Sequence, residues 1–272
     1  MRTSPRVVGS LMFALTLAAA PLARAAGPWV DRTITLPRHD WAFDFGLGIA
    51  HLPGNLGPGL NLEGAFGVTR AVQLGLRTGF RFNPTARLAA ADAYGRPFDT
   101  ETYGTGVDLV ANPEFYVRGA LIQGDVVELG LEGRVMSPFS QGLGLMFGMP
   151  LALHFGSAAR LDTGVYVPIF FYDRYYFGDP IFRRRFDDPT APFISIPLHL
   201  WLQLTGRLWL GPMTGVRVST APGSRTEVPL GFGLGYSVTR TLDFKTQFLF
   251  QDVANGEAEV WGFGAGLQVR IE

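Results

Sequence analysis

Chemistry begins with groups that can meet. The four histidines are His39, His51, His154 and His199. A hydrolytic site needs a nucleophile within hydrogen-bond reach of its base. None of these histidines has a serine two positions away, the spacing that would make them neighbours on one strand face. Ser195 and His199 share a face, but four strand residues hold their backbones about 13 Å apart. No carboxylates accompany the histidines at a metal-ligand spacing. The absence of Cys excludes a disulfide framework and a thiolate metal site. No enzymatic activity and no cofactor are expected.

What the chain has in quantity is charge of both signs, set singly among apolar residues. Arg77, Arg81, Glu114, Arg118, Glu132, Arg134, Arg207, Arg217, Asp243 and Lys245 all stand this way, and Lys245 is the sole lysine. Lining a wet passage, such groups replace part of a solute's hydration and select small polar or charged species. Paired with one another, they brace the wall that carries them. The residues leave both roles open. A different cluster, Arg183-Arg184-Arg185, stands among Tyr175, Tyr176, Phe182 and Phe186. Guanidinium forks suit phosphate groups, and Asp187 and Asp188 are near enough to compete for them.

The elements that must position these charges follow from residues 228–251. Val228, Leu230, Phe232, Leu234, Tyr236 and Val238 alternate with Pro229, Gly231, Gly233, Gly235 and Ser237. After a turn at residues 239–241, Leu242, Phe244, Thr246, Phe248 and Phe250 alternate with Asp243, Lys245, Gln247, Leu249 and Gln251. Period-two alternation across a tight turn makes a hairpin with one apolar face. Each run has about the length of a tilted membrane-crossing strand, roughly 9–11 residues. The unit recurs from Trp41 to Ile271 and gives twelve strands. Connections after the even-numbered strands are mostly short. The long ones, residues 83–103 and 173–190, follow odd-numbered strands. Inward-turned glycines such as Gly233, Gly235, Gly264 and Gly266 leave room for solute, for a loop or for an N-terminal segment, or ease strand curvature.

Composition supports the pattern. The 272 residues suffice for one barrel, and no apolar run of 18 residues follows the N-terminal stretch. Residues 1–25 form a secretory leader: Arg2 and Arg6, an apolar stretch over 7–20, then Ala23-Arg24-Ala25. Losing three arginines from 23 basic residues against 23 acidic ones leaves three more acids than bases. That balance offers nothing to nucleic acid. Residues 26–40 form a periplasmic lead-in, whose Thr33-Ile34-Thr35-Leu36 alternation suits a stub strand or a plug. Residues 41–272 form the barrel, an all-β, closed, antiparallel up-and-down fold.

The leader, the alternation and the closing Gly266-Leu267-Gln268-Val269-Arg270-Ile271 resemble the bacterial outer-membrane porin and porin-like transporter superfamily. The resemblance implies a Gram-negative outer membrane. Its lipids, lipopolysaccharide, the barrel-assembly machinery and a small solute become the expected partners. It places the Arg183, Arg184 and Arg185 cluster outside the cell as a lipopolysaccharide contact, and Trp41 and Trp261 in the interfacial girdles. The chain departs by ending in Ile271-Glu272 where that closing signal has a terminal Phe. Twelve strands enclose a backbone diameter of roughly 20 Å, which side chains partly fill, so the expected pore is narrow. A non-conducting structural or adhesion barrel is the alternative, and a membrane-embedded lipid hydrolase a more distant one.

Overall fold

The alternating runs become one closed sheet. The structure, a computed structural model, describes residues 27–52, 55–81, 110–136, 144–171, 193–220, 226–255 and 257–272. A 3-10 turn at Trp29–Asp31 precedes the strands. The strands are β1 (Trp41–Leu52), β2 (Asn55–Gly67), β3 (Val72–Arg81), β4 (Val110–Gln123), β5 (Val127–Met136), β6 (Gly144–Phe155) and β7 (Ala159–Phe170). They continue as β8 (Phe193–Gln203), β9 (Leu208–Ser219), β10 (Thr226–Glu227), β11 (Leu230–Ser237), β12 (Leu242–Asp252) and β13 (Glu257–Ile271). All pairings are antiparallel. β13 returns to β1 from Trp41 opposite Ile271 to His51 opposite Trp261. Closure leaves the wall no free edge, which a lipid environment demands.

The wall has the expected twelve positions, one of them broken. The two-residue β10 and the longer β11 both pair with β9, so they are two pieces of one strand. Alternation alone predicts that strand as continuous from Val228. The break falls at Val228 and Pro229, and the proline there has no N–H for the ladder. Side chains carry the pairing across the gap. Val228 N donates to Asp252 Oδ1 at 3.1 Å, and Thr214 Oγ1 donates to the Pro229 carbonyl at 2.8 Å.

One flank of every strand is oily. Phe45 is 51%, Leu47 65% and Phe115 57% exposed, while their neighbours Asp44 and Glu114 are buried. Aromatic residues stand at both ends of the apolar band. Trp41 packs on Phe43 and Phe66 at one end, and Trp261 stacks on His51 at the other.

The two ends differ. Short turns at residues 68–71, 124–126, 156–158, 204–207 and 238–241 share one end with Trp41 and Ile271. The connections of residues 82–109 and 172–192 leave from the other end. This is the parity expected from sequence. The leader and residues 83–103 and 173–190 lie outside the described residues.

A turn at residues 37–40 sets the direction of the lead-in. Asp40 N donates to the Pro37 carbonyl at 3.2 Å, and His39 has φ 72°. A left-handed third residue is the mark of a type II turn. His39 N and the Asp40 carbonyl both bond Gly67, fixing the turn to the end of β2. We expect His39→Val to lower unfolding stability by about 1–2 kcal/mol, because a β-branched residue strains that conformation. His39→Gly should stay within about 0.5 kcal/mol of the parent. Urea unfolding in detergent micelles, followed by tryptophan fluorescence, compares the two.

Candidate functional site

The alternation delivers its charges to the inside of the barrel, where they assemble into a connected array. It begins with Glu63 on β2. Arg77 on β3 reaches Glu63 Oε2 through Nε at 3.1 Å and Nη2 at 3.0 Å. Its Nη1 lies 3.9 Å from Glu114 of β4. Arg134 on β5 joins Glu114 at 2.8 Å to Glu132 at 2.7 Å. Glu132 then takes Arg118 Nε at 2.7 Å. The strand registers make this possible, since Glu63 lies opposite Arg77, Arg77 opposite Glu114, and Arg118 opposite Glu132. Burying one ion costs several kcal/mol, repaid only when partners surround it. Here signs alternate around the wall, and Glu114, Glu132 and Arg134 each touch two opposite charges.

Tyr116 sits in the middle of the array. Its hydroxyl donates to Glu63 Oε1 at 2.5 Å and accepts from Gln73 Nε2 at 3.0 Å. The guanidinium carbons of Arg118 and Arg134 stand 5.6 and 5.7 Å from its ring centroid, within cation–π range. The ring lies flat over Gly75. A Cβ there would fall 2.1 Å from Tyr116 Cζ, so no larger residue fits without moving the ring.

The opposite wall is built with smaller links. Arg217 of β9 bonds Glu227 of β10 at 3.2 Å. Lys245 of β12 donates to Gln268 Oε1 at 3.3 Å, and Gln268 Nε2 donates to Asp44 Oδ2 at 3.0 Å. Ser237 Oγ donates to Asp243 Oδ1 at 2.7 Å.

Residues 29–36 lie between these walls. Expected as a lead-in carrying a stub strand or a plug, they turn inside the barrel at the short-turn end. They do so without forming a strand: their backbone groups bond luminal side chains. Leu36 N donates to Gln73 Oε1 at 2.9 Å, and Ile34 N to Glu128 Oε2 at 2.6 Å. Arg118 Nη1 donates to the Ile34 carbonyl at 3.0 Å, and Arg160 donates to that of Arg32. Val30 N reaches Gln203 Oε1 at 3.3 Å, while His154 Nδ1 lies 2.8 Å from the Val30 carbonyl. That carbonyl can only accept, so this nitrogen carries the proton. Trp29 ends the path, stacked on Trp209 at 5.2 Å and 9° and edge-on to Trp201 at 5.3 Å and 65°. From this far side the Arg32 guanidinium reaches Asp243 with a two-pronged bond.

Glycines on β11 admit the tryptophans. A Cβ on Gly235 would lie 2.1 Å from Trp209 Cζ2, and one on Gly233 would lie 2.5 Å from Trp201 Cη2. At these two inward glycines the space is taken by tryptophan rings of the wall, which in turn meet Trp29 of the N-terminal segment. Two cavities flank it. One, of about 40 Å³, is lined by Trp29, Asp44, Arg77 and Lys245. The other, of about 50 Å³, is lined by Arg32, Ile34, Arg118 and His199. Each has room for a few waters, at roughly 10–15 Å³ apiece.

Of the residues singled out in the sequence, Arg77, Glu114, Arg118, Glu132, Arg134, Arg217, Asp243 and Lys245 face inward. Arg207 is exposed in the turn before β9, whose ladder starts at Leu208. Arg81 closes β3, but its side chain lies outside the described residues, as do Arg183, Arg184 and Arg185. Sequence reasoning missed Arg32, Arg160 and Trp29 as luminal groups. Arg160 is the second residue of β7, which begins at Ala159. For Trp29 the available signal was a large aromatic beside a Thr-Ile-Thr-Leu alternation that had no strand partner.

The closed wall with an inward polar face is the fold of the outer-membrane porin barrels. The NanC porin superposes with TM-score 0.59 at 10% identity, covering 84% of this chain and all of that one. The KdgM porin gives 0.53 at 6% identity over 85% of this chain and 99% of its own. An outer-membrane channel from Pseudomonas putida F1 gives 0.51 at 10% identity over 90% of this chain and the whole of that one. The first two are porins and the third is an outer-membrane channel. No protein-family model matches the chain, and none of the curated proteins does.

Proposed function

We propose that this barrel resides in a bacterial outer membrane and passes small polar solutes passively through a narrow lumen. The observation that carries this reading is the closed wall with its inward charges, shared in architecture with solved outer-membrane channels. Signs nearly balance in the lumen, which favours small polar or zwitterionic solutes over one class of ion. The apolar outer band suits membrane lipid, the terminal strand suits the barrel-assembly machinery, and Arg183, Arg184 and Arg185 suit lipopolysaccharide phosphate.

A second reading, a packed non-conducting barrel, draws on residues 29–36 crossing the lumen. Liposome swelling with small sugars and amino acids, together with planar-bilayer recording, separates the two. Swelling faster than in protein-free liposomes is the expected result. A protein silent in both assays, with residues 27–36 present and with them deleted, removes passive transport.

Lys245 offers a finer test. It lines the cavity beside Trp29 and Asp44. We expect Lys245→Glu to shift the reversal potential in a salt gradient toward cations, since a positive luminal charge becomes negative. An unmoved reversal potential takes Lys245 off the conducting path.

A further inference from the structure

We infer that residues 29–36 are a tethered plug that closes the short-turn mouth at rest, hinged at the 37–40 turn and latched to the far wall by Arg32 on Asp243. The inference rests on the channel reading and goes beyond it: it names the part that opens the channel.

The path of the segment is the first support. Starting at the hinge it meets β3 at Gln73, the end of β4 at Gln123, β5 at Glu128, β6 at His154, β8 at Gln203 and β9 at Trp209. It therefore follows about half of the rim in order. Arg32 then crosses the opening to β12, so segment and side chain together span the mouth.

The chemistry of attachment is the second support. A wall strand is fixed by a continuous backbone ladder. This segment is held by separate side-chain bonds, most of them from backbone groups to luminal residues. Each such bond contributes modestly, because water replaces it on release. Covalent attachment is at the hinge, where Gly67 holds the turn. At Gly27 an added side chain would meet open space.

The third support is the room provided for the segment. Gly233 and Gly235 accept the tryptophan rings on which Trp29 stacks, and a Cβ on Gly130 would fall 3.0 Å from Ile34 Cδ1. The wall is shaped around the segment at both halves of its course.

The test compares single-channel recordings of the wild type and a variant lacking residues 27–36, with folding verified by heat-modifiable gel migration and circular dichroism. A several-fold rise in conductance for the folded variant is expected. A synthetic peptide of residues 27–36, added from the short-turn side, should restore the block, while a scrambled peptide should not. Equal conductance in the two folded proteins overturns the plug. If both conduct equally, the channel reading stands without it; if both are silent, the two fall together. Should the deletion fail to assemble, Arg32→Glu replaces it, setting like charge against Asp243 while leaving the wall intact. It should raise the fraction of time spent open, and an unchanged open fraction overturns the proposal.

Discussion

Replacing Arg134 with methionine should lower unfolding stability by about 3–5 kcal/mol, the range for removing one member of a buried ion cluster. Arg134 has no side-chain exposure and bonds Glu114 and Glu132 at once. Methionine fills similar volume, so the loss is electrostatic. It leaves two buried carboxylates facing each other with fewer cations between them. Arg134→Met with Glu132→Gln should recover part of the loss, because one stranded charge goes with it. Urea titration in micelles measures both. A single variant within 1 kcal/mol of the parent means that water reaches these groups and the array is not dry.

The second large effect belongs to Trp209. Trp209 is 1% exposed, its ring stacks on Trp29, and the ring fills the space a Cβ on Gly235 would need. Trp209→Ala should cost about 3–5 kcal/mol through lost burial and the cavity left behind. It should also loosen Trp29. Gly235→Ala attacks the same stack from behind, and its overpacking cost of about 1–3 kcal/mol should be smaller. If Trp209→Ala is nearly neutral while Gly235→Ala is severe, strand geometry rather than ring seating explains the glycine.

Much of this was legible in the sequence, for a physical reason. Lipid on one side and polar groups on the other force period-two alternation, and a one-residue slip would turn every charge into hydrocarbon. That constraint exposed the inward set from Arg77 to Lys245 and the parity of turn lengths. It failed at strand limits. Arg207 and Arg160 sit where alternation meets a turn, and periodicity carries no information about where a ladder begins. The break at Pro229 hid because Val228 to Val238 still alternate across it. The placement of residues 29–36 was raised only as one option, a stub strand or a plug, for a different reason. Their partners, Gln73, Glu128, His154 and Gln203, come from strands far along the chain, and no local pattern links them.

That remoteness bears on the order of assembly. Arg32 and Asp243 are 211 positions apart, and the docking surface for Trp29 needs β8, β9 and β11 together. Contacts between such distant stretches form late, since the intervening chain must be organised first. The earliest part of the described chain therefore waits on strands made much later before it can dock. Until β8, β9 and β11 stand together, Trp29 has no seat.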